Sequence, residues 1–77
     1  MQHLKLGQYI KNKRISLGYT LNKFSIHSEV DSATLSKYER GLSGINVDTL
    51  ECIAKGFSQT LGEFLIEYEQ ILKNKGV

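Results

Sequence analysis

The sequence predicts an all-α domain, and three features support that fold class: the absence of proline, the number of glycines and the spacing of apolar residues. None of its 77 residues is proline, so no residue interrupts a helix from inside, and seven glycines provide helix stops. Apolar residues recur at helical spacing in successive segments. With 40% hydrophobic residues, a chain of this length forms one small domain over residues 1–77, which buries about 60% of the surface of the unfolded chain.

The first helix is predicted over residues 4–17 and is ended by Gly18. Its apolar stripe consists of Leu6, Ile10 and Leu17. Lys13 lies within this stripe, so we expect its methylene stem to cover apolar surface while its ammonium reaches water.

Two short helices joined by a tight turn follow, over residues 21–28 and 32–40. Thr20 and Asp31 are side chains that cap helix starts, and Gly41 ends the second helix of the pair. We therefore predict a compact pair of helices in the first half of the chain.

The second helix of this pair has two distinct sides. At 100° per residue, Leu35 and Tyr38 lie on the inner side. The other side is formed by Ser32, Ala33, Ser36 and Lys37. This face is short and carries a single lysine charge, so it suits close approach to another surface. We expect that surface to be the major groove of DNA.

Two further helices are predicted in the second half. Asn46 caps the fourth helix, over residues 47–55, and Cys52 falls on its polar side. The apolar face of this helix consists of Val47, Leu50, Ile53, Ala54 and Phe57. Thr60 and Glu63 form a capping box that starts the fifth helix, which extends to about residue 74.

Charge is unevenly distributed along the chain. Up to Gly41, seven basic side chains accompany three acidic ones, whereas from Leu42 onward three basic side chains accompany five acidic ones. A basic first half indicates a polyanionic partner. The single cysteine excludes an intrachain disulfide, and neither a signal peptide nor an apolar run of about 20 residues is recognisable. We therefore expect a cytoplasmic protein.

No catalytic or metal-binding grouping is recognisable. His3 and His27 have no carboxylate at a suitable spacing, and Cys52 has no matching histidine. The glycines form no phosphate-binding loop before a helix. We therefore expect no enzyme activity, no metal and no cofactor.

The run Leu35-Ser36-Lys37-Tyr38-Glu39-Arg40-Gly41 is the most specific part of a wider pattern. The other members of the pattern are Leu6, Gly7, Ile10, Arg14, Gly18, Thr20, Phe24, Ser25 and Val30. This pattern resembles that of the phage repressor and Cro helix-turn-helix family (the XRE family) over residues 4–65. The resemblance implies a compact five-helix domain like that of lambda repressor, with the third helix, 32–40, as the recognition helix.

The resemblance also implies roles for single residues. In the family, an arginine of the first helix pairs with the glutamate of the recognition helix, which implies a structural ion pair between Arg14 and Glu39. Leu21 replaces a glutamine that commonly binds a DNA phosphate, so that contact is missing here. Glu29 replaces a turn glycine, and a left-handed backbone at this position would be strained.

The fifth helix continues about two turns beyond the basic unit of the family, so residues 66–77 form a C-terminal extension. Three apolar residues in it, Tyr68, Ile71 and Leu72, have little of their own domain left to pack on. Because an exposed apolar stripe favours a partner, we predict a homodimer contact through these residues. The alternative is that the tail folds back onto the first helix.

In a major groove, the third helix would place its N-terminal residues nearest the base edges. The predicted base-reading residues are Ser32, Ala33, Ser36 and Lys37. Among them, Lys37 is the strongest candidate because a lysine can donate to N7 and O6 of guanine. The predicted phosphate-binding residues are Thr20, Asn22, Thr34, Arg40, Ser43 and Asn46.

The resemblance implies a sequence-specific regulator of transcription in a prokaryote or phage, namely a repressor that binds a palindromic DNA operator as a homodimer. Antitoxins of toxin–antitoxin pairs share this domain, so a DNA-binding antitoxin with a toxin partner is a second hypothesis. A third is a protein-binding adaptor that keeps the fold and has lost DNA binding, which Leu21 and Leu42 favour.

Overall fold

The computed structural model describes residues 3–42 and 44–75, and it contains five helices and no strand within those ranges. In chain order the helices are α1 (His3–Ser16), α2 (Leu21–Ser28), α3 (Ser32–Glu39), α4 (Val47–Gly56) and α5 (Leu61–Lys75). The prediction of an all-α fold with five helices is therefore confirmed.

All five helices contribute to one core. Its fully buried large side chains are Leu6 and Ile10 of α1, Phe24 of α2, Leu35 of α3, Ile53 of α4 and Phe64 of α5. Phe57, which follows α4, stacks on Phe24 and Phe64 with ring centroids 4.4 and 6.0 Å away. Helix α3 packs against both α1 and α2, so only its remaining side can meet another molecule.

Four helix starts carry the predicted capping interactions. The side chains of Thr20, Asp31 and Asn46 accept backbone N–H groups two or three residues later, at 2.8–3.1 Å. At the start of α5, the Glu63 N–H donates to the Thr60 hydroxyl at 3.1 Å, and the Thr60 N–H donates to the Glu63 carboxylate at 2.9 Å. Because these bonds satisfy N–H groups that have no partner inside the helix, they determine where α2 to α5 begin.

Glu29 ends α2 in a left-handed conformation, with φ 61° and ψ 25°, although its side chain disfavours that geometry. Its N–H donates to the Ser25 carbonyl at 2.8 Å, which closes the last turn of the helix. Such a conformation costs a residue with a side chain about 1–2 kcal/mol. The exposed carboxylate also lies at the negative end of the α2 dipole, so two effects oppose glutamate at this position.

We expect Glu29→Gly to raise the melting temperature by about 4 °C. Glycine adopts the conformation without strain and removes the charge, while its greater freedom in the unfolded chain offsets part of the gain. Ser58→Gly is the matched control because Ser58 has φ 60° and no charge. Thermal unfolding followed by circular dichroism measures both variants, and a melting temperature of Glu29→Gly below that of wild type would refute the strain argument.

Three residues that were assigned to helix faces differ from their predicted exposure. Leu17 and Val47, which were assigned to apolar faces, are 54% and 67% exposed. Each lies at a helix end, where the core-facing stripe runs out. Cys52, assigned to the polar side of α4, is half-buried against the core.

The prediction that Tyr68, Ile71 and Leu72 have little of their own domain left to pack on is wrong. Tyr68 is only 5% exposed, and its ring centroid lies 5.2 Å from that of Tyr9 in α1. Ile71 and Leu72 are half-buried against the same core. The second half of α5 therefore folds back onto α1, which is the alternative that the sequence left open, and the buried Tyr68 ring is unsuited to a dimer contact.

A polar cluster joins α5 to α1. Glu67 accepts hydrogen bonds from the Tyr9 hydroxyl and, at 2.5 Å, from the Lys13 ammonium. The Lys13 ammonium was predicted to reach water, but it is bound to a carboxylate of α5 instead. The hydrogen bonds from Lys13 and Tyr9 lower the pKa of the Glu67 carboxyl, and burial raises the pKa of Tyr9. Because the folded-state pKa of Glu67 is lowered, its contribution to stability is present at neutral pH and is lost as the pH falls through that pKa.

Candidate nucleic-acid interface

Two serine hydroxyls build the turn between α2 and α3. Ser25 Oγ donates to the Val30 carbonyl at 2.6 Å. Ser28 Oγ donates to the Phe24 carbonyl at 2.8 Å and accepts the Val30 N–H at 3.3 Å. Val30 itself is 7% exposed within the core. The hydroxyls thus satisfy buried backbone groups of the turn, a role that helical spacing alone does not indicate.

Helix α3 has one buried side and one outward side. The buried side is formed by Leu35, Tyr38 and Glu39. On the outward side, Ala33 and Lys37 are exposed, and Ser32 and Ser36 are half-buried beside them. These four residues, which we call the α3 face, are the predicted base-reading residues. They share one side of the helix, with Ala33 and Lys37 as its most exposed members.

A buried ion pair lies behind the α3 face. Arg14 Nε and Nη2 donate to the Glu39 carboxylate at 2.7 and 3.1 Å, and the two side chains are only 8% and 4% exposed. Arg14 Nη1 donates to the Tyr19 carbonyl at 2.6 Å. The guanidinium therefore joins α1 to the last residue of α3 and to the residue before the α2 cap. The resemblance implied the ion pair, whereas no side-chain pattern signals a backbone carbonyl as the third partner.

The predicted phosphate-binding residues at helix starts are exposed. Thr20 and Asn22 lie at the start of α2, and Asn46 lies at the start of α4. The caps use the Thr20 hydroxyl oxygen and the Asn46 amide oxygen as acceptors. The Thr20 hydroxyl hydrogen and the Asn46 amide N–H groups can therefore donate to an anion beside a helix N-terminus.

The other predicted phosphate-binding residues lie along α3 and its following loop. Arg40 is exposed, and its Nε donates to the Ser36 carbonyl at 3.3 Å, so the guanidinium lies beside the last turn of α3. Thr34 is half-buried. Ser43 lies outside the described residues. Leu21, the first residue of α2, packs against the core and offers no polar side-chain group.

No three His, Cys, Asp or Glu side chains come together to hold a metal ion in the part of the chain that the structure describes. Over residues 3–42 and 44–75, no helix combines the length and the apolar character needed to cross a membrane.

Comparisons with known proteins agree with this architecture. The Helix-turn-helix family model (HTH_3) matches residues 10–64. The crystal structure of the clp gene regulator ClgR from Corynebacterium glutamicum is similar, with a TM-score of 0.78 and 22% sequence identity, over 99% of this chain and 81% of that chain. At this identity the likeness shows the fold. No curated protein matches the chain significantly.

Proposed function

The chain belongs to the helix-turn-helix family, and we propose that it is a regulator of transcription that recognises double-stranded DNA by sequence. The two-sided packing of α3 carries this proposal, because Leu35 and Tyr38 are buried while Ala33 and Lys37 are exposed. A helix about 10–12 Å across that is attached by one side can enter a major groove about 12 Å wide with the other.

Each residue of the α3 face has chemistry suited to base edges. The Lys37 ammonium can donate to N7 and O6 of a guanine, and the Ala33 methyl group can contact the methyl group of a thymine. The hydroxyls of Ser32 and Ser36 can each donate or accept a hydrogen bond. The face therefore favours sites that contain both guanine and thymine.

Phosphate contacts set the register of a protein on the duplex. We assign them to Thr20, Asn22, Thr34, Arg40, Ser43 and Asn46. The start of α2 adds the positive end of a helix dipole to the donors of its side chains. The phosphate contacts then fix the position from which the α3 face reads the bases.

We further propose that the protein is a cytoplasmic repressor that binds a palindromic operator as a homodimer. Each copy brings few basic side chains to the interface, so two copies bind far more tightly than one. Two recognition helices about 34 Å apart would read half-sites that are one helical turn apart. Ile71 and Leu72, which are half-buried, can lose their remaining exposed surface in a contact between copies.

Selection of genomic fragments with the purified protein tests the proposal, with Lys37→Ala as the variant. Lys37 is exposed, so the variant is expected to keep the fold. Binding to the fragment selected by wild type should weaken about tenfold, with selectivity lost at defined base positions. Lys55→Ala is the matched control because Lys55 is exposed on α4 and carries the same charge. Equal losses in the two variants would mean that net charge alone matters.

The salt dependence of binding gives a second readout. A dimer that neutralises roughly 6 phosphates should give a slope of log K against log salt concentration of about −5. A slope flatter than about −2 is incompatible with docking in the groove.

A protein-binding role is the second candidate, either as an adaptor or as an antitoxin with a toxin partner. Exposed apolar side chains favour it, since Ile26 and Leu42 are 78% and 65% exposed. Copurification of a second protein would support this role. Retention on bulk DNA at low salt would support a regulator or an antitoxin and exclude an adaptor that has lost DNA binding.

A further inference from the structure

We infer that Arg14 is a positioning residue for DNA recognition, because its guanidinium fixes the start of α2 and the end of α3 on the same turn of α1. This inference rests on the proposed function. It assigns to Arg14 a part in specificity in addition to its part in stability.

Arg14 binds the Tyr19 peptide groups from both directions. Its Nη1 donates to the Tyr19 carbonyl at 2.6 Å, and its own backbone carbonyl accepts the Tyr19 N–H at 3.1 Å. Tyr19 directly precedes Thr20, which caps α2 and is one of the proposed phosphate donors. The first phosphate contact of α2 is therefore one residue away from a group that Arg14 holds in place.

The same guanidinium binds the other DNA-contacting element. Its Nε and Nη2 donate to Glu39, the last residue of α3, at 2.7 and 3.1 Å. Among the described residues, the extensive backbone packing of α1 is with α3, whereas α2 packs mainly on α3 and α4. Arg14 therefore adds a direct side-chain link from α1 to the start of α2, beside the packing of α2 on α3. This link orients the Tyr19 carbonyl, and with it the phosphate donor Thr20, relative to the α3 face.

A lysine at this position cannot replace the arginine. A guanidinium presents a planar set of five N–H donors, which here reaches a carboxylate and a carbonyl together, whereas an ammonium is a compact point charge. Arg14→Lys can keep an ion pair with Glu39 but releases the Tyr19 carbonyl. The start of α2 then shifts relative to α3, so phosphate and base contacts no longer fit one DNA register.

The experiment compares binding to two duplexes, the one that wild type selects and a scrambled duplex of the same length and composition. Arg14→Lys should lower the ratio of the two affinities about tenfold, roughly the effect of losing one good base contact. Ile53→Val is the control, because Ile53 is a fully buried residue of α4, and the change destabilises the core and alters neither Arg14 nor its hydrogen-bond partners. This control should leave the ratio unchanged. All measurements are made where circular dichroism shows each variant fully helical.

A backbone change isolates the Tyr19 link if Arg14→Lys does not fold. An ester in place of the amide between Tyr19 and Thr20 weakens the Tyr19 carbonyl as an acceptor and leaves the ion pair intact, and it should lower the ratio in the same way. The ester also removes the Thr20 N–H, but loss of a phosphate donor weakens binding to both duplexes alike and leaves the ratio unchanged. An unchanged ratio in a folded variant, when wild type does prefer its duplex, overturns this inference alone. A wild-type protein with no preference between the duplexes refutes the proposed function, and the inference falls with it.

Discussion

Arg14→Ala is expected to unfold the domain at room temperature, or nearly so. The side chains of Arg14 and Glu39 are 8% and 4% exposed, so alanine leaves a buried carboxylate without its partner. It also removes the donor to the Tyr19 carbonyl. Removing one partner of a buried pair costs about 3–5 kcal/mol, and a domain of this size is stable by roughly 5 kcal/mol in total. The loss is therefore comparable to the whole free energy of unfolding.

Thermal and urea unfolding, each followed by far-ultraviolet circular dichroism, measure this effect. Lys73→Ala is the control, because it breaks an exposed pair in which Lys73 and Glu69 lie 3.3 Å apart and are 75% and 68% exposed. That variant should change the free energy of unfolding by less than about 1 kcal/mol. If Arg14→Ala melts within a few degrees of wild type, the buried pair does not stabilise the fold.

Gly7→Ala is expected to destabilise the domain by about 3 kcal/mol, because it forces α1 away from α3. A Cβ atom at Gly7 would overlap the backbone oxygen of Tyr38 and would lie 3.0 Å from that of Glu39. Both neighbours are backbone atoms at the end of α3, so no side-chain rotation relieves the overlap. The gain in helix propensity, about 1 kcal/mol, is too small to compensate.

Gly62→Ala is the matched control for this prediction. Gly62 is exposed near the start of α5, and its nearest neighbour to an added Cβ is the Thr60 hydroxyl at 4.0 Å. Alanine should therefore stabilise the domain there by up to about 1 kcal/mol. The difference between the two melting temperatures measures the close approach of α1 to α3. Equal stability of the two variants would show that α1 moves without cost.

Local chemistry was sufficient to predict the helices and the α3 face. The caps at Thr20, Asp31 and Asn46 are encoded by side chains within three residues of the N–H groups that they accept. The outward side of α3 follows from Leu35 and Tyr38, since two apolar residues three apart decide which side of a short helix is buried. These features depend on neighbours in sequence, so pattern analysis can identify them.

Contacts between distant residues were not predictable in this way. Glu67 meets Tyr9 and Lys13, which are 58 and 54 residues away in sequence, and on the α5 helix it resembles any solvated glutamate. The burial of Tyr68 follows from the same return of α5 onto α1. Glu29 adopts a left-handed conformation because the packing of α2 against α3 outweighs the preference of its own backbone.

The base analogue 7-deazaguanine tests the docking of the α3 face most directly, because it removes the N7 acceptor from the major groove and leaves the minor groove unchanged. The measurement is the Kd of wild type and of Lys37→Ala for the selected duplex, with each guanine replaced in turn. We predict one guanine in each half-site whose replacement weakens wild-type binding about tenfold and does not weaken Lys37→Ala further. Equal losses in the two proteins at every guanine, or no loss at any of them, would contradict insertion of the α3 face into the major groove.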